Sequence, residues 1–151
     1  MIKNYTTIVP AEQTIGEIQV MLSEYGVTKM MTEYDGKQVS AVSFQLRIDG
    51  REMGFQLPCN WRAVREVFDQ QGITSVRHKD KSLDNQAIRT AWRVIYDWID
   101  AQLALVEINM VTIPQIFLPY TIMQDGRTIS EHLSEQPGLL LTATSSNQNR
   151  N

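Results

Sequence analysis

Cysteine occurs once, at Cys59, and histidine only twice, at His78 and His132. A single thiol excludes an internal disulfide, and this inventory cannot fill a structural zinc site of the usual spacing. No apolar run reaches the roughly 18 residues of a membrane span, and Met1-Ile2-Lys3-Asn4 does not open a secretory signal. A cytoplasmic, reduced setting without membrane association is therefore expected. Nucleophile-elbow and Walker-type glycine patterns are missing, which leaves acyl and phosphoryl transfer without a starting point. What remains is an ordinary globular composition of 151 residues, 42% hydrophobic, 21% charged and 8% aromatic. That suits one domain with a single core.

The net charge of −3 hides an asymmetry. Segment 61–93 holds seven basic residues against four acidic ones, a net of +3, while seven basic and thirteen acidic residues leave −6 elsewhere. A basic middle in an acidic body can direct an anionic partner to one face.

Patterning predicts α+β architecture. Tyr5–Val9 is aromatic and β-branched up to Pro10, and reads as a short strand. Thr14-Ile15-Gly16-Glu17 matches a capping box, followed by the stripe Ile15, Ile18, Met21, Leu22 and Tyr25 with Gly26 as the stop. Asp35-Gly36 and Asp49-Gly50 mark two hairpins. A two-residue loop at the second sets Leu46 opposite Met53, Phe44 opposite Phe55 and Val42 opposite Leu57, all apolar and on one face. The first hairpin yields no equally clean register. Asn60 can cap a helix whose stripe is Trp61, Val64, Val67 and Phe68, and residues 72–83 read as an exposed connection.

From Asp84 to about Ile108 runs a helix of about 37 Å. Arg89, Arg93, Asp97, Asp100, Ala104 and Glu107 fill one narrow polar arc, and apolar residues fill the other two-thirds, so two surfaces must cover it. Prolines confine the apolar stretch 113–123 to an edge strand or packed arm. Thr128-Ile129-Ser130-Glu131 is a second capping box opening a short last helix. The expected fold is a mainly antiparallel four- to five-stranded sheet packed against a short N-terminal helix and one long helix. It occupies residues 1–136, with a disordered tail over 137–151. A helical domain carrying a separate hairpin is the alternative. The exposed apolar surface of the long helix and the arm predicts a homo-oligomer.

Several strings resemble a family of small bacteriophage, prophage and mobile-element proteins. They are Tyr5-Thr6-Thr7 with Val9-Pro10-Ala11-Glu12, Thr14-Ile15 with Glu17-Ile18-Gln19, Tyr34-Asp35-Gly36 and Leu57-Pro58-Cys59. The others are Ala91-Trp92-Arg93-Val94-Ile95 with Asp97-Trp98, Ala101-Gln102-Leu103-Ala104, and Phe117-Leu118-Pro119-Tyr120 before Asp125-Gly126. The resemblance spans roughly residues 3–133. It implies a phage context and a host-cell cytoplasm, and it brings no activity and no functional residue.

The remaining chemistry is sparse. Cys59 follows a strand end, where a small buried thiol is the common role, and a nucleophile would need it beside His78 or His132. Asp35-Gly36-Lys37 with nearby Glu33 fits a fragment of metal-dependent nucleases, but the aspartate and glycine are better used as a turn. Asp97 and Asp100 lie on a solvated helix face, with Arg93 placed to pair with Asp97. Trp61, Trp92 and Trp98 sit on apolar stripes as core or interface anchors. No catalytic residue, metal ligand or cofactor is expected.

The basic cluster is the candidate site: Arg62, Arg65, Arg77, Lys79, Lys81, Arg89 and Arg93. If the 72–83 connection folds back between its helices, these cations can converge on a phosphate-rich ligand, which arginine grips bidentately. The expectation is a non-enzymatic accessory protein binding nucleic acid through 61–93. The alternative is an antagonist of a host defence pathway, which binds a host protein or sequesters a nucleotide signal in an oligomer.

Overall fold

The computed structural model describes residues 1–140, and the expected tail falls outside the described residues beyond that point. Pro137–Leu139 itself forms a 3-10 turn. The elements run α1 (Ala11–Ser23), β1 (Val27–Asp35), β2 (Gln38–Ile48), β3 (Arg51–Gln56), α2 (Trp61–Gln70), α3 (Leu83–Glu107), α4 (Ile113–Phe117) and α5 (Ile129–Glu135). Three strands form one antiparallel sheet in the order β1-β2-β3. The α+β class stands, and the count of four to five strands is corrected to three.

The β2–β3 hairpin has the register its turn chemistry dictates. Phe44 faces Phe55 and Leu46 faces Met53, and the Leu57 amide donates to Val42 O at 2.9 Å. Asp49 and Gly50 both take positive φ, the conformation that a tight right-twisting hairpin loop demands. The inner face of this ribbon packs on Phe117, whose ring meets Phe44 edge-on at 5.1 Å. Helices α1 and α3 close the same core through Ile18, Leu22, Trp92, Ile99 and Leu103. Sheet and helices therefore share one core, which excludes a helical domain with a separate hairpin.

The two missing strands have physical explanations. Tyr5–Val9 forms no strand: it leaves a turn over residues 3–6 and runs irregularly across α3, with carbonyls accepting from helix side chains instead of a neighbouring strand. Gln86 Nε2 donates to Tyr5 O and Thr7 O, both at 2.9 Å, and Thr90 Oγ1 donates to Asn4 O at 3.2 Å. In the other case Pro114 sits in the first turn of α4, where its missing amide costs nothing. Thr112 and Gln115 complete a capping box around it. Only Thr121 keeps a bridge to the β3 edge, at Phe55. A further correction concerns Thr14. It lies inside α1, which starts three residues earlier at Ala11 behind Pro10, and its buried hydroxyl has no hydrogen-bond partner among the described residues.

This N-terminal segment also corrects the reading of α3. Arg89, expected on the solvent-facing arc, is buried, as are Gln86 and Thr90 beside it. On its apolar side, part of the second covering surface for α3 also comes from its own chain, through Phe68 of α2 in one cluster with Ala87. Arg93 pairs with Glu17 of α1 at 2.5 Å, not with Asp97. Asp97 instead receives Asn4 Nδ2 at 2.8 Å and the Lys3 ammonium at 3.0 Å.

Burial pushes the Asp97 pKa upward, but the Asn4 and Lys3 contacts outweigh it and hold the carboxyl below its ordinary value. A depressed folded pKa adds stability above the unfolded value, and that contribution is lost as pH falls through the folded one. Thermal midpoints should therefore drop below about pH 4, the ordinary aspartate range. Asp97→Asn should start lower at neutral pH and fall less steeply on acidification. An unchanged slope would show that Asp97 does not tether the N-terminal segment.

Candidate functional site

Four segments meet around a cleft of about 500 Å³: the start of α1 (Pro10–Glu12), the β1–β2 turn (Lys37–Val39), His78 and Asp80 of the 72–82 connection, and Asn85, Ile88 and Arg89 of α3. Each segment is placed by local chemistry. Ser82 caps α3 by accepting from the Asn85 amide at 3.2 Å. Asp80 accepts from the Ser82 amide at 2.9 Å and from the Asn85 side chain, which folds the connection back onto the helix start. The Asp80 amide donates to His78 Nδ1 at 3.0 Å. In the neutral ring the proton then sits on Nε2, leaving that nitrogen as a donor.

Arg89 lines the cleft. It is only 7% exposed, and its Nε and Nη2 both donate to Gln86 Oε1, at 3.1 and 2.6 Å. Gln86 is itself oriented by its two bonds to Tyr5 O and Thr7 O, so its oxygen must face the arginine. Nη1 has no hydrogen-bond partner among the described residues, and no carboxylate there forms an ion pair with the guanidinium. Burial lowers the Arg89 pKa from its ordinary value, and Asp80 offsets this only through space. A desolvated charge without a counter-ion costs free energy, and a bound anion repays it.

The seven predicted cations do not converge. Arg62 lies over the Trp61 ring at 4.8 Å on the outside of α2. Arg65 is bonded by Asp69 and, at 3.1 Å, by Asp84. Arg93 is taken by Glu17 and stacks on Tyr96 at 4.1 Å. Lys81 donates to Val76 O at 2.9 Å. Arg77 and Lys79 are exposed on either side of His78 and form no ion pair among the described residues. The connection and Arg89 therefore come together, while Arg62, Arg65 and Arg93 go elsewhere. Sequence reasoning missed Lys37, His78, Asn85 and Gln86. The one available signal was the Gln86–Arg89 spacing, which stacks two polar side chains a turn apart.

No family model, curated protein or solved structure matches the chain. Its own geometry carries the functional reading. Burial pushes the Cys59 thiol up to about 12, and neither histidine lines the cleft that holds it. Among the described residues no group of three or more acidic, histidine or cysteine side chains is placed to hold a metal. Also among them, no helix is long and apolar enough to cross a membrane.

Proposed function

We propose that this chain is a non-enzymatic phage or mobile-element accessory protein that binds nucleic acid through its phosphates, at the Arg89 cleft and the 77–81 rim. The supporting observation is the buried Arg89 guanidinium on an open cleft, bonded to no carboxylate and with Nη1 unpartnered among the described residues. A phosphate oxygen supplies the acceptor and the negative charge that this group lacks. Arg77 and Lys79 extend the positive field outward, and Lys37 and His78 line the cleft.

A second reading has one observation in its favour. Glu12 and Asp80 stand on the same cleft walls, and these carboxylates oppose an extended polyanion more than a compact nucleotide. Sequestration of a nucleotide signal, as in a defence antagonist, follows from that. Salt separates the two, since extended phosphate contact weakens steeply with salt and an enclosed pocket less so.

Fluorescence anisotropy with a labelled oligonucleotide, competed by mononucleotides over a salt series, tests both. The variant with Arg77→Glu, Lys79→Glu and Lys81→Glu should fold normally, because surface changes usually stay within about 0.5 kcal/mol. It should lose oligonucleotide binding, as attraction becomes repulsion at three points. A folded triple variant that still binds the oligonucleotide would remove the rim from the mechanism.

A further inference from the structure

Among the described residues, the sheet has one open side. Thr121 occupies the β3 edge, whereas no described residue bridges the far side of β1. Most of β1 is exposed, including Met31 at 57%. Its ladder to β2 shifts register between Val27 and Lys29 and again between Glu33 and Tyr34. Those irregularities bound a regular stretch, Lys29 to Glu33, centred on Met31.

Backbone direction follows from the register. Leu57 bonds Val42, so even-numbered residues of this part of β2 turn their amides to β3 and odd-numbered ones to β1. Lys29, Met31 and Glu33 stand opposite Gln45, Ser43 and Ala41 and are bonded inward. Met30 and Thr32, opposite Phe44 and Val42, turn their N–H and C=O groups outward to the open edge. Unpaired groups in such a row form a template for another strand.

We propose that β1 pairs antiparallel with β1 of a second copy about a two-fold axis at Met31, making a six-stranded sheet across the dimer. In that register Met30 exchanges backbone bonds with Thr32 of the second copy, and Thr32 with its Met30. Met31 meets Met31, and Lys29 lies directly opposite Glu33 of the second copy at both ends. Those opposed charges sit at non-hydrogen-bonded positions, where side chains approach most closely. Moving the axis to Met30 or Thr32 also satisfies the backbone but separates lysine from glutamate. An axis at Thr32 would set Lys29 opposite Asp35, beyond the register shift at Glu33 and Tyr34, so charge complementarity within the regular stretch favours a second copy paired about Met31. The stretch is short, so the dimer is weak and concentration-dependent.

Sedimentation over a concentration series through the micromolar range tests this on the full chain. The wild type should pass from 17.3 kDa to twice that mass. Lys29→Glu and Glu33→Lys should each weaken self-association by about tenfold, since like charges then face each other twice. The double exchange should restore it. Thr32→Pro should block it while keeping the β1–β2 ladder, because the lost amide faces outward; circular dichroism checks the fold of each variant. A wild type that stays monomeric throughout overturns the proposal. So does a dimer indifferent to Glu33→Lys and Thr32→Pro, or a double exchange that fails to restore pairing. None of these readouts depends on phosphate binding.

Discussion

Trp92→Ala should lower the stability of this protein by about 3–5 kcal/mol, the usual cost of emptying a fully buried aromatic site. Trp92 is 1% exposed and is the largest fully buried side chain. It belongs to the core cluster that also holds Ile18 of α1, Phe44 of β2 and Ile99 of α3 itself. Collapse around the gap is hindered because those neighbours are held by different elements. A chain of this size has only about 5–15 kcal/mol in total, so the thermal midpoint should fall on the order of 10–20 °C. Denaturant titration gives the free energy directly. A loss below about 1 kcal/mol, the scale of an ordinary substitution, would mean that α3 does not anchor the core.

Much of this core was legible before any coordinates, because it is set by local rules. Asp49-Gly50 can make only a few turns, and one of them puts three apolar pairs on one face. Asn60 caps α2 with its side chain, accepting from the Ala63 amide at 3.2 Å, as its position before an apolar stripe requires. The failures share a different cause. Tyr5–Val9 has a strand's composition, yet its Tyr5 and Thr7 carbonyls find a donor on Gln86, far away in sequence. β-Propensity describes a fit to a half-buried surface, and the surface of α3 serves as well as a strand. In 113–123 the prolines read as breakers, but Pro114 occupies the helix start that tolerates it. The count of strands suffered from both.

The site was less legible than the fold for a related reason. Counting charges along 61–93 treats each cation as free, whereas Arg65 and Arg93 are already engaged by Asp69, Asp84 and Glu17. Conversely, helical periodicity assigned Arg89 to a solvent-facing arc. Its burial depends on the N-terminal segment crossing above it, a contact between residues more than seventy positions apart. Lys37 reaches the same cleft only because the first hairpin closes over Gly36 and Lys37, with Asp35 opposite Gln38. Periodicity within one helix cannot report what another segment lays on top of it.

Arg89→Met should separate binding from folding. Methionine has a similar length and fits the apolar contacts of the arginine stem, while the charge and all donor groups disappear. Replacing a buried charge with a well-packed apolar side chain is often neutral or stabilising. The opposing term is Gln86 Oε1, which loses its guanidinium partner, and an unsatisfied buried acceptor costs about 1–3 kcal/mol. Stability should thus change by no more than about 2 kcal/mol in either direction. Binding should change far more, since removing one member of a buried charge pair typically costs about 2–5 kcal/mol, roughly thirtyfold or more in affinity. Anisotropy with the labelled oligonucleotide, or competition by a mononucleotide, reads that loss alongside a denaturant curve on the same sample. Arg89→Lys keeps the charge but not the planar fork, and should fall between the two if the fork grips phosphate oxygens. Full affinity in a folded Arg89→Met protein would leave the buried guanidinium as a structural group tied to Gln86, and the phosphate-binding reading of the cleft would fail with it.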